Sequence, residues 1–245
     1  MRRRALVIQH FPVDAPWYIV HALANARVEV DLRRLHEGDA LPESLEDHDA
    51  LVVLGGPDSA AQQSAGYPSL EHELRLLVEA HEQTKPALGV CLGAQVMARA
   101  ADAKVYAGAA GKEIGWGQVR LTPEASATGL LSGLGEELTA LQRHGDTFDL
   151  PPQAQLLASS DVYPVQAFQW GSCLALQFHL EVDSLAAVRA FTEGFPDEAN
   201  LVDGGPAEIL RVSENFLRQS DASRSRIYDG WAHSITAQHE ITLES

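Results

Sequence analysis

Five consecutive apolar residues, Ala50-Leu51-Val52-Val53-Leu54, run without a polar break and stop at Gly55-Gly56-Pro57. A run this short and this uniformly apolar reads as a strand covered on both faces, the pattern of a parallel sheet lying between helices. Shorter or weaker versions recur at 5–8, 28–32 and 86–90. Helical segments separate them. Residues 16–26 form one, and Leu70, Leu74, Leu77 and Val78 recur at a spacing that predicts an amphipathic helix over 69–81. Residues 92–101 continue from the run at 86–90 with helix formers and no breaker after Gly93. Strands alternating with helices at this pace predict an α/β fold, a mostly parallel open sheet flanked by helices.

The middle of the chain changes character. Residues 107–117 hold four glycines, 119–121 read as a strand, and 138–142 lead to His144-Gly145-Asp146. Two strand-like runs, 165–169 and 172–178, are divided by Trp170-Gly171, a hairpin signal that predicts a small antiparallel addition to the sheet. Helices are expected over 184–191 and 207–218. Residues 220–245 are polar without a sustained period, so the chain reads as one domain over 1–219 with a C-terminal extension over 220–245. In that extension Ile227 and Trp231 are four apart and share a helical face. They and Tyr228 are expected to dock on the domain or a second subunit, with disorder beyond Glu240.

Of 245 residues, 45 % are hydrophobic, enough for a sizeable core. The formal net charge of -16, from 18 Lys plus Arg against 34 Asp plus Glu, disfavours a nucleic-acid or membrane partner, because such a surface repels phosphates and anionic lipid. Two cysteines are too few for a secreted disulfide scaffold. The apolar run near the N-terminus is too short for a signal peptide, and no stretch approaches the roughly 18 apolar residues of a membrane span. A soluble, cytoplasmic protein is expected.

Chemistry concentrates at Gly89-Val90-Cys91-Leu92-Gly93, between a predicted strand and a predicted helix. This is a nucleophile elbow, Gly-x-nucleophile-x-Gly, with Cys as the nucleophile. At so tight a turn, side chains at the flanking positions would clash, hence glycine at both. The turn lifts the sulfur off the sheet, the following helix N-terminus favours the thiolate, and the Leu92 N–H points where an oxyanion would form. A thiolate nucleophile needs a base. Of the ten histidines, His179 stands apart because it ends the apolar run Leu174-Ala175-Leu176-Gln177-Phe178. Glu181, two residues on in extended chain, lies on the same side and is placed to orient the imidazole. At the end of the most apolar strand, Gly55 and Gly56 let the backbone approach a substrate, and the Gly56 N–H is a candidate second oxyanion donor.

Taken together, Gly55-Gly56-Pro57, Gly89-Val90-Cys91-Leu92-Gly93-Ala94-Gln95 and Gln177-Phe178-His179-Leu180-Glu181 resemble the class I (triad) glutamine amidotransferases, over roughly residues 51–182. The resemblance implies a flavodoxin-like sheet. It also implies that Cys91 attacks a glutamine γ-amide, His179 serves as base and then acid, Glu181 orients it, and Gln95 helps bind glutamine. Lys112-Glu113-Ile114-Gly115-Trp116 and His144-Gly145-Asp146-Thr147-Phe148 are similar to stretches of stand-alone relatives of the glutaminase domain of GMP synthetase. By that resemblance His144, Gly145 and Asp146 lie at the rim of the substrate site. Many members carry Pro where this chain has Leu180, which opens the question of the His179–Glu181 geometry. No P-loop and no synthetase domain are visible in the sequence. The readings are a hydrolase of glutamine or a γ-glutamyl compound, an ammonia-supplying subunit for a separate synthetase chain, or a non-catalytic binding protein on the same scaffold. No cofactor is expected. No Cys/His set has zinc spacing, so no metal is expected either.

Overall fold

The computed structural model describes residues 2–61, 66–127 and 129–243, with the main chain alone for 126–127 and 238–243. The N-terminal half follows the apolar runs closely. β1 (Arg3–Gln9), α1 (Trp17–Asn25), β2 (Val28–Arg34), β3 (Ala50–Val53), α2 (Leu70–Glu82), β4 (Ala87–Val90) and α3 (Leu92–Ala100) alternate as expected. The rest comprises β5 (Val105–Ala107), β6 (Glu113–Leu121), α4 (Pro123–Ala127), β7 (Glu137–His144), β8 (Asp146–Phe148), β9 (Gln155–Ser159), β10 (Ala167–Trp170), β11 (Cys173–Leu176), α5 (Leu185–Gly194), α6 (Pro196–Ala199) and α7 (Gly205–Leu243).

Among the described residues the main sheet has nine strands in the order β2-β1-β3-β4-β11-β10-β9-β6-β7. The first five run parallel, and the remainder are joined antiparallel. β5 and β8 pair separately. The antiparallel part thus extends well past the hairpin at Trp170-Gly171. Its strands are only partly buried, as β6 shows, and their mixed exposure blurs the period that would announce them.

Successive side chains of a buried strand face opposite layers. Ala5 and Val7 of β1 join Val52 of β3 in one apolar cluster, with α1 and the C-terminal part of α7. Leu6, Ile8, Leu51 and Val53 join the other, with α2 and α3. Because the antiparallel strands curl, edge strand β7 meets the chain just past β11. There His179 N donates to Leu141 O at 2.8 Å and Leu141 N to His179 O at 3.3 Å.

The C-terminal segment corrects the sequence reading. α7 passes through 219–220 without interruption and continues to Leu243, so the expected boundary falls inside one helix; residues 244–245 lie outside the described residues. Ile209, Ser213, Leu217, Ser220, Arg224, Ile227, Tyr228, Trp231, Ala232 and Ile235 form its buried stripe. Their spacing is helical, but Ser213, Ser220 and Arg224 are polar, which hides the stripe from an apolar-periodicity search. Each is satisfied. Ser213 Oγ accepts from Trp116 Nε1 at 2.8 Å, Ser220 Oγ donates to Thr139 O at 2.6 Å, and Arg224 Nε donates to Leu180 O at 3.0 Å. No helix of the described residues is long and apolar enough to cross a membrane.

Trp231 is the largest fully buried side chain. Replacing it with Ala is expected to cost about 3–5 kcal/mol, the range for deleting a core aromatic. Urea unfolding followed by circular dichroism checks this; an unchanged midpoint would show that the C-terminal part of α7 carries no core load.

Candidate active site

Cys91 sits between β4 and α3 with φ 53° and ψ −107°, a conformation that costs an L residue on the order of 1–3 kcal/mol. The turn is possible because α3 lies hard against the sheet. A Cβ on Gly93 would fall 1.9 Å from Val53 O, and one on Gly89 2.5 Å from Gly93 O. Both positions exclude any side chain. Cys91 is 3 % exposed, and it lines a cavity of about 180 Å³ at the C-terminal ends of the parallel strands.

The ring of His179 is buried. Its Nδ1 donates to Glu181 Oε1 at 2.7 Å. Nε2 is buried and has no hydrogen-bond partner, while the Cys91 thiol donates to Arg143 O at 3.5 Å. Burial alone would lower the His179 pKa, but the Glu181 carboxylate and Cys91 beside it raise it above the usual imidazole range. The absence of Pro at position 180 does not loosen this pair. Leu180 O accepts from the buried Arg224, Glu181 O accepts from Tyr18 N at 3.1 Å, and Glu181 Oε2 accepts from Tyr228 Oη at 3.3 Å.

Gly55 and Gly56 follow β3 and pack against the same residues. A Cβ on Gly55 would lie 2.7 Å from Asp14 Oδ1 and 3.2 Å from His179 Cε1; one on Gly56 would lie 2.8 Å from Leu92 Cδ2. Gly56, Leu92, Gln95, His144, Gly145 and Asp146 line the cavity with Cys91, whereas Gly55, His179 and Glu181 stand behind it. Gln95 Nε2 lies 3.3 Å from Gln177 Oε1. The side chain of His144 is turned inward, and its Nδ1 donates to Asp146 O at 3.0 Å, so the ring pins the turn. The Asp146 carboxylate accepts from Ser59 Oγ.

Several groups at the site gave no signal in the sequence. Arg143 is nearly buried, 3.3 Å from Asp14 Oδ1 and 3.3 Å from Glu198 Oε2, with its guanidinium 3.5 Å from the Phe195 ring centroid. Burial works against its charge, but Asp14, Cys91 and Glu198 together hold it above the ordinary range. Burial raises the pKa of Asp14 despite Arg143. Glu198, on the short α6, also pairs with Lys112. The cavity therefore presents cations (Lys112, Arg143) and carboxylates (Asp58, Asp146, Glu198) around one thiol.

An α/β sheet with a strained Cys elbow and a buried His–Glu pair is the arrangement that the resemblance to glutamine amidotransferases implied. Comparison with known proteins agrees: the sequence profile of the family Glutamine amidotransferase class-I matches residues 13–195, and the chain belongs to that family. It is 33 % identical over 151 residues to the glutamine amidotransferase-like protein YfeJ of Salmonella typhimurium, a match covering 60 % of this chain and 63 % of YfeJ. A glutamine-hydrolyzing GMP synthase subunit of Sulfurisphaera tokodaii is 31 % identical over 144 residues, covering 57 % and 71 %. Gamma-glutamyl peptidase 5 of Arabidopsis thaliana is 26 % identical over 183 residues, covering 69 % and 72 %. A solved glutamine amidotransferase of Thermotoga maritima superposes with a TM-score of 0.84 at 29 % identity, over 96 % of this chain and 99 % of that one.

The two thiols should differ in reactivity. Cys173 is fully buried in β11, and burial pushes its pKa up to about 12. A chloroketone analogue of glutamine is expected to label Cys91 and to spare Cys173, read by peptide mass spectrometry. Labelling mainly at Cys173 would remove Cys91 from the site.

Proposed function

We propose that the protein hydrolyses the γ-amide of glutamine or of a γ-glutamyl compound through a thioester on Cys91. The observation that carries this reading is the pairing of His179 Nδ1 with Glu181 at 2.7 Å while the buried Nε2 is left without a partner beside Cys91. Nε2 is thereby left to exchange a proton with the Cys91 thiol.

In this mechanism His179 takes the Cys91 proton, and the thiolate attacks the γ-carbonyl carbon. The carbonyl oxygen becomes an oxyanion, held by the N–H groups of Gly56 and Leu92. The intermediate collapses by breaking the C–N bond, and His179 delivers its proton to the departing nitrogen, releasing ammonia or an amine. Water, deprotonated by the same His179, attacks the thioester carbon. The C–S bond breaks, and glutamate leaves with the thiolate restored. The mixed charges of the cavity suit the α-ammonium and α-carboxylate of an amino-acid substrate: Asp58 and Asp146 for the first, Lys112 and Arg143 for the second, with Gln95 and Gly56 along the chain between. The soluble cytoplasm is the setting proposed for it.

Similarity to a GMP synthase subunit favours a second arrangement, in which the ammonia passes to a separate synthetase chain. The chemistry at Cys91 is the same in both. Similarity to a gamma-glutamyl peptidase favours free-standing hydrolysis. A glutamate-release assay over glutamine and γ-glutamyl dipeptides, with and without chains captured on the purified protein, separates the two.

Cys91→Ala and His179→Ala are each expected to lower kcat by about 10⁴-fold or more, and Glu181→Gln by at least about tenfold less than either, since an orienting carboxylate leaves nucleophile and base in place. Turnover of one γ-glutamyl substrate by the three variants is the measurement. Full activity in His179→Ala rejects the mechanism; a loss at Glu181 as deep as at Cys91 rejects the ranking alone.

A further inference from the structure

Behind the Gly55-Gly56 loop lies a second buried polar cluster that the proposed mechanism does not use. His10 follows β1, Glu73 lies on α2, and Tyr67 precedes that helix; all three are almost fully buried. His10 Nδ1 is 3.0 Å from Gly55 O, and its Nε2 is 3.0 Å from Glu73 Oε2. Tyr67 Oη is 2.8 Å from His10 Nε2 and 2.9 Å from Glu73 Oε2. Ser69 Oγ donates to the other Glu73 oxygen at 2.7 Å.

The proton positions follow from the partners. A carbonyl only accepts, so His10 Nδ1 carries hydrogen and donates to Gly55 O. Between Nε2 and Glu73 Oε2 there must be a second proton, since a lone pair facing a carboxylate would leave both atoms buried and unpaired, and the single Tyr67 hydroxyl hydrogen can serve only one of them. His10 is correspondingly raised above the usual imidazole range: burial opposes its charge, but Glu73 and then Gly55 O outweigh it, with Asp14 adding to them. Asp58 is the other carboxylate that feels His10.

The consequence lies on the far side of one peptide bond. The described residues contain no cis peptide. In a trans peptide the C=O of one residue and the N–H of the next point in opposite directions. Holding Gly55 O toward His10 therefore turns the Gly56 N–H away from His10, and Gly56 lines the cavity together with Cys91. Two adjacent glycines would otherwise leave that peptide plane the freest in the loop.

We propose that His10, anchored by Glu73 and Tyr67, is a positioning residue that fixes the Gly55–Gly56 peptide so that the Gly56 N–H serves as an oxyanion donor. This rests on the amide-hydrolysis reading above. His10, Tyr67 and Glu73 do not line the cavity. Their effect is confined to steps in which a carbonyl oxygen gains charge.

The test compares two reactions of Cys91 in the full chain. Hydrolysis of a γ-glutamyl amide needs the oxyanion donors; alkylation by iodoacetamide, a displacement at a saturated carbon, does not. His10→Ala is expected to lower kcat by about 10- to 100-fold, somewhat less than removing a donor outright, with KM changed less than about threefold. The rate of Cys91 alkylation should stay within about twofold of wild type. His10→Asn, which keeps an N–H near the Nδ1 position and nothing at Nε2, should recover most of the lost kcat. Where His10→Ala fails to fold, Tyr67→Phe carries the test, with an expected loss of a few-fold in kcat alone. Unchanged kcat in His10→Ala or in Tyr67→Phe, or alkylation falling in step with kcat, overturns the inference and leaves the hydrolase reading intact. No turnover by the wild-type chain on glutamine or any γ-glutamyl amide overturns that reading, and this inference with it.

Discussion

The site depends first on how closely α3 approaches β3. A methyl group on Gly93 would fall 1.9 Å from Val53 O, well inside contact distance. That approach lets the chain reverse at Cys91 within one residue, and it brings the first turn of α3 alongside the loop that follows β3. Cys91, Leu92, Gly55 and Gly56 therefore belong to one packing unit. The positive φ at Cys91 is held by its surroundings: the Cys91 N–H donates to Leu176 O at 2.8 Å, and its carbonyl accepts from Ala94 N and Gln95 N.

What was legible in the sequence follows the same logic. Wherever an element is buried on both faces, its residues are uniformly apolar and its limits show, as at 50–54 and 86–90 against the observed Ala50–Val53 and Ala87–Val90. Wherever function demands that no side chain be present, glycine marks the place, so both loops of the site could be found. Arg143, Asp14 and Glu198 left no such mark. Their significance comes from three segments far apart in the chain that converge over Phe195, and a single Arg, Asp or Glu is ordinary on any of them. His10 is similarly silent, because its partners Tyr67 and Glu73 are about sixty residues away.

The C-terminal helix shows the opposite failure. Its pattern is present in the sequence but written partly in Ser and Arg. A search for apolar periodicity discards Ser213, Ser220 and Arg224, and the rest falls apart into unconnected residues. In the folded chain these polar positions face main-chain carbonyls and an indole N–H that would otherwise be buried without partners. Polar residues in a buried stripe are then no weakness in the packing, since the surface they meet is itself polar.

That choice of partners links the far end of the chain to the pair at the site. Arg224 holds Leu180 O, Tyr228 reaches Glu181 Oε2, and Tyr18, beside them, donates its amide to Glu181 O. Glu181 thus has one carboxylate oxygen on His179 and the other on α7, and neither is left to solvent. A carboxylate fixed at both oxygens can hold an imidazole in one tautomer without a proline between them to stiffen the turn. The stiffness has moved from the local chain, where Pro would supply it, to the tertiary contacts of a helix packed from the other end of the sequence. Leu180 is tolerable because α7 is there, and α7 is therefore part of the site although none of its residues lines the cavity.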